Sequence, residues 1–133
     1  KDINIYNGAG YGTPRKPVFD ALENGGTVIL EIDRNGMDQI LKNEALEDIE
    51  IVTIFLCTQA ETLQARLIHR GDNRDDISKR IDIAYNELNH LSEYEYVFIN
   101  DDIEKTALRV WALICGLTVP DDVFSVDMFQ KGQ

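Results

Sequence analysis

An α/β fold, with a parallel sheet and helices on its faces, follows from three features of this 133-residue chain. Compact apolar runs of strand length, rich in β-branched residues, occur at 27–32 (TVILEI), 49–56 (IEIVTIFL) and 96–100 (YVFIN). Helical patterns separate these runs, and strict strand-helix alternation is the signature of parallel pairing. Asp33 and Asn100 close two of the runs at their carboxyl ends, where open α/β sheets bind ligands.

Taken in order, Ile3 and Ile5 alternate with polar neighbours and predict a short strand before a turn at 7–10 (NGAG). Thr13 is placed to cap a helix whose first position is Pro14; Pro17 falls in its first turn, and Val18, Ala21 and Leu22 face inward. That helix ends at 24–26 (NGG). After the first apolar run, residues 34–42 predict a short helix with Met37, Ile40 and Leu41 inward. A further helix is predicted over 60–70, with Leu63 and Leu67 on one stripe. Ile77, Ile81, Ala84, Leu88 and Leu91 step by four, three, four and three, the clearest amphipathic helix in the chain. Asp101 or Asp102 caps a last helix carrying Ile103, Ala107, Val110, Trp111 and Ile114, with Trp111 expected in the core. Gly116 ends it, and 118–133 reads as a loosely packed tail.

Between two of these helices lies the stretch 63–80, LQARLIHRGDNRDDISKR. Arg66 and Arg70 are four apart and share a helix face, Gly71 suits a left-handed cap, and Arg80 returns from the next helix. Two readings fit these arginines. They either serve a helix C-terminus and face water, or form a mobile clamp for phosphate oxygens.

Composition bounds the function. Hydrophobic residues make up 44% and charged ones 28%, the values of a globular domain, and net charge is −11. Such acidity argues against a general nucleic-acid or anionic-membrane surface, while leaving room for a small phosphorylated ligand. The two cysteines, Cys57 and Cys115, lie in apolar patterns and are expected as buried free thiols, which suits a reducing cytoplasm. No apolar run reaches a membrane span, and the start is no signal peptide. His69 and His90 lack metal-ligand partners at suitable spacing. Tyr85, Tyr94 and Tyr96 are expected to pack rather than to stack on a base.

Four segments, GYGTPRK, VILEIDRNG, RLIHRGDNRDDISKRI and EYEYVFINDD, occur in an order and at spacings that resemble guanylate kinase from about residue 2 to about residue 117. The resemblance implies a P-loop kinase-type parallel sheet and transfer of the ATP γ-phosphoryl group to GMP, with Mg2+ accompanying ATP. It implies that Tyr11 and Thr13 bind GMP and that Asp33 accepts hydrogen bonds from the guanine edge. Asp2 falls where the family has a guanine-binding Glu. Arg70 and Arg80 match the lid arginines that bridge both nucleotides' phosphates, with Arg66 supporting, and Asn100 and Asp101 match an Asn-Asp pair near the ATP base. By the same resemblance, 1–117 is a guanylate kinase-like domain: 1–26 belongs to the GMP region, 27–62 and 92–117 form the core, and 63–91 form the lid and its flanking helices.

The sequence also departs from the family. Glu31 stands where the first Asp of Asp-Ile-Asp is usual, and the Arg70–Arg80 interval is one residue shorter than the commonest form. No G-x-x-x-x-G-K-[ST] occurs, so the phosphate-loop strand is expected to be missing from this chain and catalysis by the chain alone is not expected. In the strand order that the resemblance implies, that strand lies between 27–32 and 51–56. The seam would then be closed by a separate N-terminal segment, by a strand-exchanged dimer or by direct pairing. A non-catalytic guanylate kinase-like interaction module is the alternative reading. Retention of Thr13, Asp33, Arg66, Arg70 and Arg80 together favours the kinase.

Overall fold

The computed structural model describes residues 4–6, 9–122, 124 and 126–130. It divides into two compact units, Lys1–Ile51 and Val52–Gln133.

In the first unit, strands β1 (Asn4–Tyr6) and β2 (Ala9–Tyr11) pair antiparallel, with Asn4 opposite Tyr11. Ile3 and the predicted turn residues Asn7 and Gly8 lie outside the described residues, and Ala9 and Gly10 belong to β2. Helix α1 (Arg15–Glu23) starts one residue later than expected: Pro14 occupies the cap position, without a side-chain bond, so Thr13 is not the cap. Gly25, at φ 73°, turns the chain out of the helix, where the left-handed backbone favours glycine. Gly26 then has no room for a side chain, since a Cβ would come within 2.9 Å of the Ala21 carbonyl oxygen.

The strand predicted at 27–32 does not form. A strand exists only through a ladder, and among the described residues nothing pairs with this run; Ile29 is 71% exposed. Helix α2 (Arg34–Leu41) follows, burying Met37 and partly burying Ile40, but Leu41 faces outward. A single turn of 3-10 helix, Glu44–Leu46, capped by Asn43, buries Leu46.

In the second unit, β3 (Ile54–Cys57) and β4 (Tyr96–Ile99) pair in parallel, Ile54 opposite Tyr96 and Cys57 opposite Ile99. The strand predicted from Ile49 is therefore shorter, because β4 offers partners only to these residues. Its entry is tied by side chains instead: Glu95 N–H donates to Thr53 Oγ1 (2.9 Å) and Thr53 N–H to Glu95 Oε1 (3.3 Å). Helix α3 (Ala60–Arg70) and helix α4 (Arg74–Glu87), continued by a 3-10 stretch at Leu88–Glu93, connect the two strands. Leu67, Ile77 and Leu88 are buried, with Leu63, Ile81, Ala84 and Leu91 partly so, as the spacing predicts. Tyr94 meets Phe55 edge-on at 5.1 Å and Tyr96 lies 5.9 Å from Phe98, so these rings pack.

Helix α5 (Ile103–Ile114) is capped by Asp102, whose carboxylate accepts from Lys105 N–H at 3.0 Å. Of the residues expected to face inward, Val110 and Ile114 are partly buried, while Ile103, Ala107 and Trp111 are exposed. Thr106 is buried and donates to the Asp102 carbonyl, while Ile103, Leu108 and Trp111 (62% exposed) face outward. The helix is apolar on two adjacent stripes, so periodicity alone does not choose between them. Arg109 does: its guanidinium lies 4.2 Å over the fully buried Phe98 ring, fixing that side against β4. Cys115, at the end of α5, is exposed rather than buried, whereas Cys57 is buried; both are free thiols.

Described residues after α5 pack against the core. Val119, Phe124 and Phe129 are buried, the last on helix α6 (Val126–Gln130). Asp121 and Asp122 close the outer edge of β4. Val97 N–H donates to Asp121 and Ile99 N–H to Asp122, both at 2.7 Å, while Asp122 N–H returns a bond to Val97 O at 2.9 Å. An edge strand presents unpaired amides, and here carboxylates take them. Arg109 also donates to Asp122 and to the Pro120 carbonyl.

Partial burial, the largest single influence on Asp122, pushes its carboxyl up; the Ile99 amide and Arg109 outweigh it, and the net shift is downward. A carboxyl depressed in the folded state adds stability above its unfolded pKa of about 3.9, and that contribution is lost as pH falls through the folded value. Asp122→Asn should therefore cost about 1–2 kcal/mol at pH 7, the difference between a charged and a neutral acceptor. In urea titrations the gap from wild type should narrow below about pH 4. A gap that stays constant down to about pH 2 would mean the charge of Asp122 is irrelevant to stability.

Candidate functional site

The turn between α3 and α4 is built by local rules. Gly71 adopts φ 92° and its N–H bonds back to Ile68 O at 3.0 Å; Asp72 N–H reaches Leu67 O at 3.1 Å. This double closure ends α3 with a left-handed residue. Asn73 then caps α4 by accepting from Asp76 N–H at 2.9 Å. Held this way, Asp72 faces the arginines of both helices. Arg70 donates from Nε to Asp72 Oδ1 (2.8 Å) and from Nη2 to Oδ2 (2.5 Å), a side-on fork, and Arg80 Nε lies 3.2 Å from the same Oδ2. The hydrogen bond from Arg70 is the main reason the Asp72 carboxyl sits below its ordinary range, with the charges of Arg70 and Arg80 adding to it.

Arg66, one turn earlier on α3, takes another partner: its Nη2 donates to Asp101 O at 3.2 Å, at the carboxyl end of β4. There Asn100 N–H continues the ladder to Cys57 O at 2.7 Å, and Thr58 Oγ1 bonds the Asp101 carboxylate. Asp102, not Asp101, is the helix cap, so the Asp101 side chain is not used in capping. The structure thus brings Arg70 and Arg80 together, and separately brings Arg66 to Asp101 and Thr58.

In the first unit, Asp33 caps α2 with Oδ1 accepting from Gly36 N–H at 2.7 Å. The sequence reading missed this role; Gly36, three residues on, was the available signal. Thr13 is partly buried between β2 and α1, Tyr11 ends β2, and Asp2 lies outside the described residues. Asp72, Thr58 and Arg109 were also missed. Asp72 was legible as the residue after a predicted left-handed glycine, but Thr58 and Arg109 gain their partners only in three dimensions.

Burial pushes the Cys57 thiol up to about 12, with Asp122 adding to the effect, so it is no nucleophile at neutral pH. His69 is exposed, and His90 bonds Glu93 at 2.7 Å. Among the described residues no group of three His, Cys, Asp or Glu side chains is arranged to hold a metal ion, and no helix is long and apolar enough to cross a membrane.

A parallel strand pair joined through helices is consistent with a P-loop kinase-type α/β fold. The guanylate kinase family model matches residues 3–115, and the chain belongs to that family. It is 40% identical over 106 residues to a guanylate kinase of Rickettsia conorii, covering 78% of this chain and 44% of that protein. Against a guanylate kinase of Caldanaerobacter subterraneus subsp. tengcongensis the identity is 39% over 105 residues, covering 78% and 50%. Against that of Carboxydothermus hydrogenoformans it is 41% over 96 residues, covering 71% and 45%. The chain spans about half the length of the curated relatives it matches.

Proposed function

We propose that this chain carries the GMP-binding and lid portion of an enzyme of cytoplasmic purine nucleotide metabolism, which transfers the γ-phosphoryl group of ATP to GMP and yields ADP and GDP. The observation that carries the reading is the convergence of Arg70 and Arg80 on one anion across the α3–α4 turn. Phosphoryl transfer spreads charge over three oxygens and asks the protein for positioned cations more than for a base. Arginines on two helices joined by a tight turn supply that charge and can close on it. Arg66 supports them from the strand end.

In this proposal Tyr11, Thr13 and Asp2 bind GMP, and Asn100 and Asp101 border the ATP base, with Thr58 holding the Asp101 carboxylate. The lid spans 63–91. In this proposal magnesium accompanies ATP as the MgATP substrate. These 133 residues contain no G-x-x-x-x-G-K-[ST], and turnover is assigned to a protein that supplies this loop. The unpaired apolar run at 27–32 requires a partner strand; an N-terminal segment, or a strand exchanged with a second copy, is that partner here.

Asp33 is assigned to the guanine N–H groups, donors that adenine does not present in that arrangement. Because its Oδ1 is engaged by Gly36, Asp33→Asn can keep the cap while altering the acceptor set offered to a base. The substitution should weaken GMP binding by about 1–3 kcal/mol, the usual consequence of mispaired polar groups. Calorimetry with GMP and AMP tests this and the function together. Equal affinity for the two nucleotides in a complete enzyme would remove Asp33 from the guanine site. Absence of GMP-dependent ADP formation from ATP would favour the interaction-module reading.

A further inference from the structure

The α3–α4 turn holds an anion of its own. Asp72 receives a side-on fork from Arg70, the donor pattern that two oxygens of a phosphoryl group would take, and Arg80 Nε forms an ion pair with the same carboxylate at 3.2 Å. Its position is fixed by the backbone: Asp72 N–H is committed to Leu67 O, one residue past the left-handed Gly71. The carboxylate is thus held at the point where both helices aim their guanidinium groups. Arg66 is not in this arrangement, since it reaches Asp101.

We propose that Asp72 is a positioning residue: an internal counter-anion that keeps Arg70 and Arg80 together when no nucleotide is bound and that an incoming phosphate must displace. A phosphate cannot take the Arg70 fork while Asp72 occupies it, and the displaced carboxylate is repelled by the ligand that replaces it. Asp72 therefore lowers ground-state affinity for phosphate while preserving the spacing of the two arginines. This deepens the reading of the turn as a phosphate lid and rests on it.

The test uses a complete protein that contains these residues and inorganic tripolyphosphate as probe, with calorimetry for affinity and NMR of the arginine Nε–H groups for engagement. Asp72→Asn should raise tripolyphosphate affinity by about 3- to 10-fold, the scale set by competing exposed ion pairs. The Arg70 and Arg80 Nε–H resonances should move on addition of the probe in wild type. In Asp72→Asn without probe they should already have left their wild-type positions. Asp75→Asn removes the same charge from the first turn of α4 and controls for net charge; an equal gain in both variants overturns the proposal. So does a lowered melting temperature for Asp72→Asn with unchanged probe affinity, the mark of a merely structural residue. Asp72→Ser is the second variant, and should show the same gain if the first is poorly folded.

The two readings fail separately. Tighter probe binding by Asp72→Asn, beside an unchanged kcat for Arg70→Ala in an active enzyme, keeps the counter-anion and rejects the kinase lid. Unchanged probe binding beside a collapsed kcat does the reverse.

Discussion

Alanine in place of Arg70 or Arg80 should lower kcat about 10³-fold in an enzyme that contains these residues together with a phosphate loop, the low end for a transition-state arginine. That loss corresponds to about 4 kcal/mol of transition-state stabilisation. The hypothesis follows from the proposed function and from the two guanidinium groups meeting on Asp72. Thermal stability should barely change, because both side chains are solvent-exposed in part and exposed ion pairs contribute little to folding. Lysine at either position should restore only part of the rate, since an ammonium group lacks the planar fork. Steady-state kinetics with saturating ATP and GMP, read beside a melting curve, separates the two effects. Normal kcat in either alanine variant would mean that the turn is not a catalytic lid.

The largest stability effect is expected at Phe98. Its ring has no exposure, lies under the Arg109 guanidinium at 4.2 Å and borders Tyr96 at 5.9 Å. Phe98→Ala should cost about 3–5 kcal/mol, from lost transfer energy and the cavity left behind. For a domain of this size the melting temperature should drop by roughly 12 °C or more. Loss of the ring also removes the platform that directs Arg109 to Asp122, so the segment 118–130 should become protease-sensitive together with β4. Circular dichroism melts and limited proteolysis measure both. A shift of only about 2 °C would be incompatible with the central position given to Phe98.

The elements that sequence reading placed well are those whose cause is local. The spacing of Ile77, Ile81, Ala84 and Leu88 marks α4, and a glycine after a basic last turn marks the end of α3. Asn100 follows a strand that forms, whereas Asp33 follows a run that does not pair and caps the next helix, and the site roles of both and of the arginines come from the four segments that resemble one family. The features that were misread have non-local causes. Residues 27–32 have the composition of a strand, but a ladder needs a second backbone, which composition does not supply. Trp111 lies on an apolar stripe of α5, yet the stripe that packs is chosen by Thr106 and by Arg109 over Phe98. The stretch around 121–122 looked loose because its anchoring is carried by Asp121 and Asp122, acidic residues that sequence alone assigns to solvent. Phe124 and Phe129, spaced five apart, were the overlooked sign of packing.

The outward stripe of α5 has a spectroscopic consequence. Trp111 is the single tryptophan of the chain and lies among Ile103 and Leu108 on that exposed face, away from Phe98. Indole emission therefore reports what touches α5, not whether the aromatic interior is intact. A partner settling on this face would blue-shift and brighten the emission, whereas melting of the β3–β4 core would leave its wavelength almost unmoved. The tyrosines at 94 and 96, packed on Phe55 and Phe98, are the chromophores that follow the core, so ring-region circular dichroism and indole fluorescence should trace different events in the same molecule.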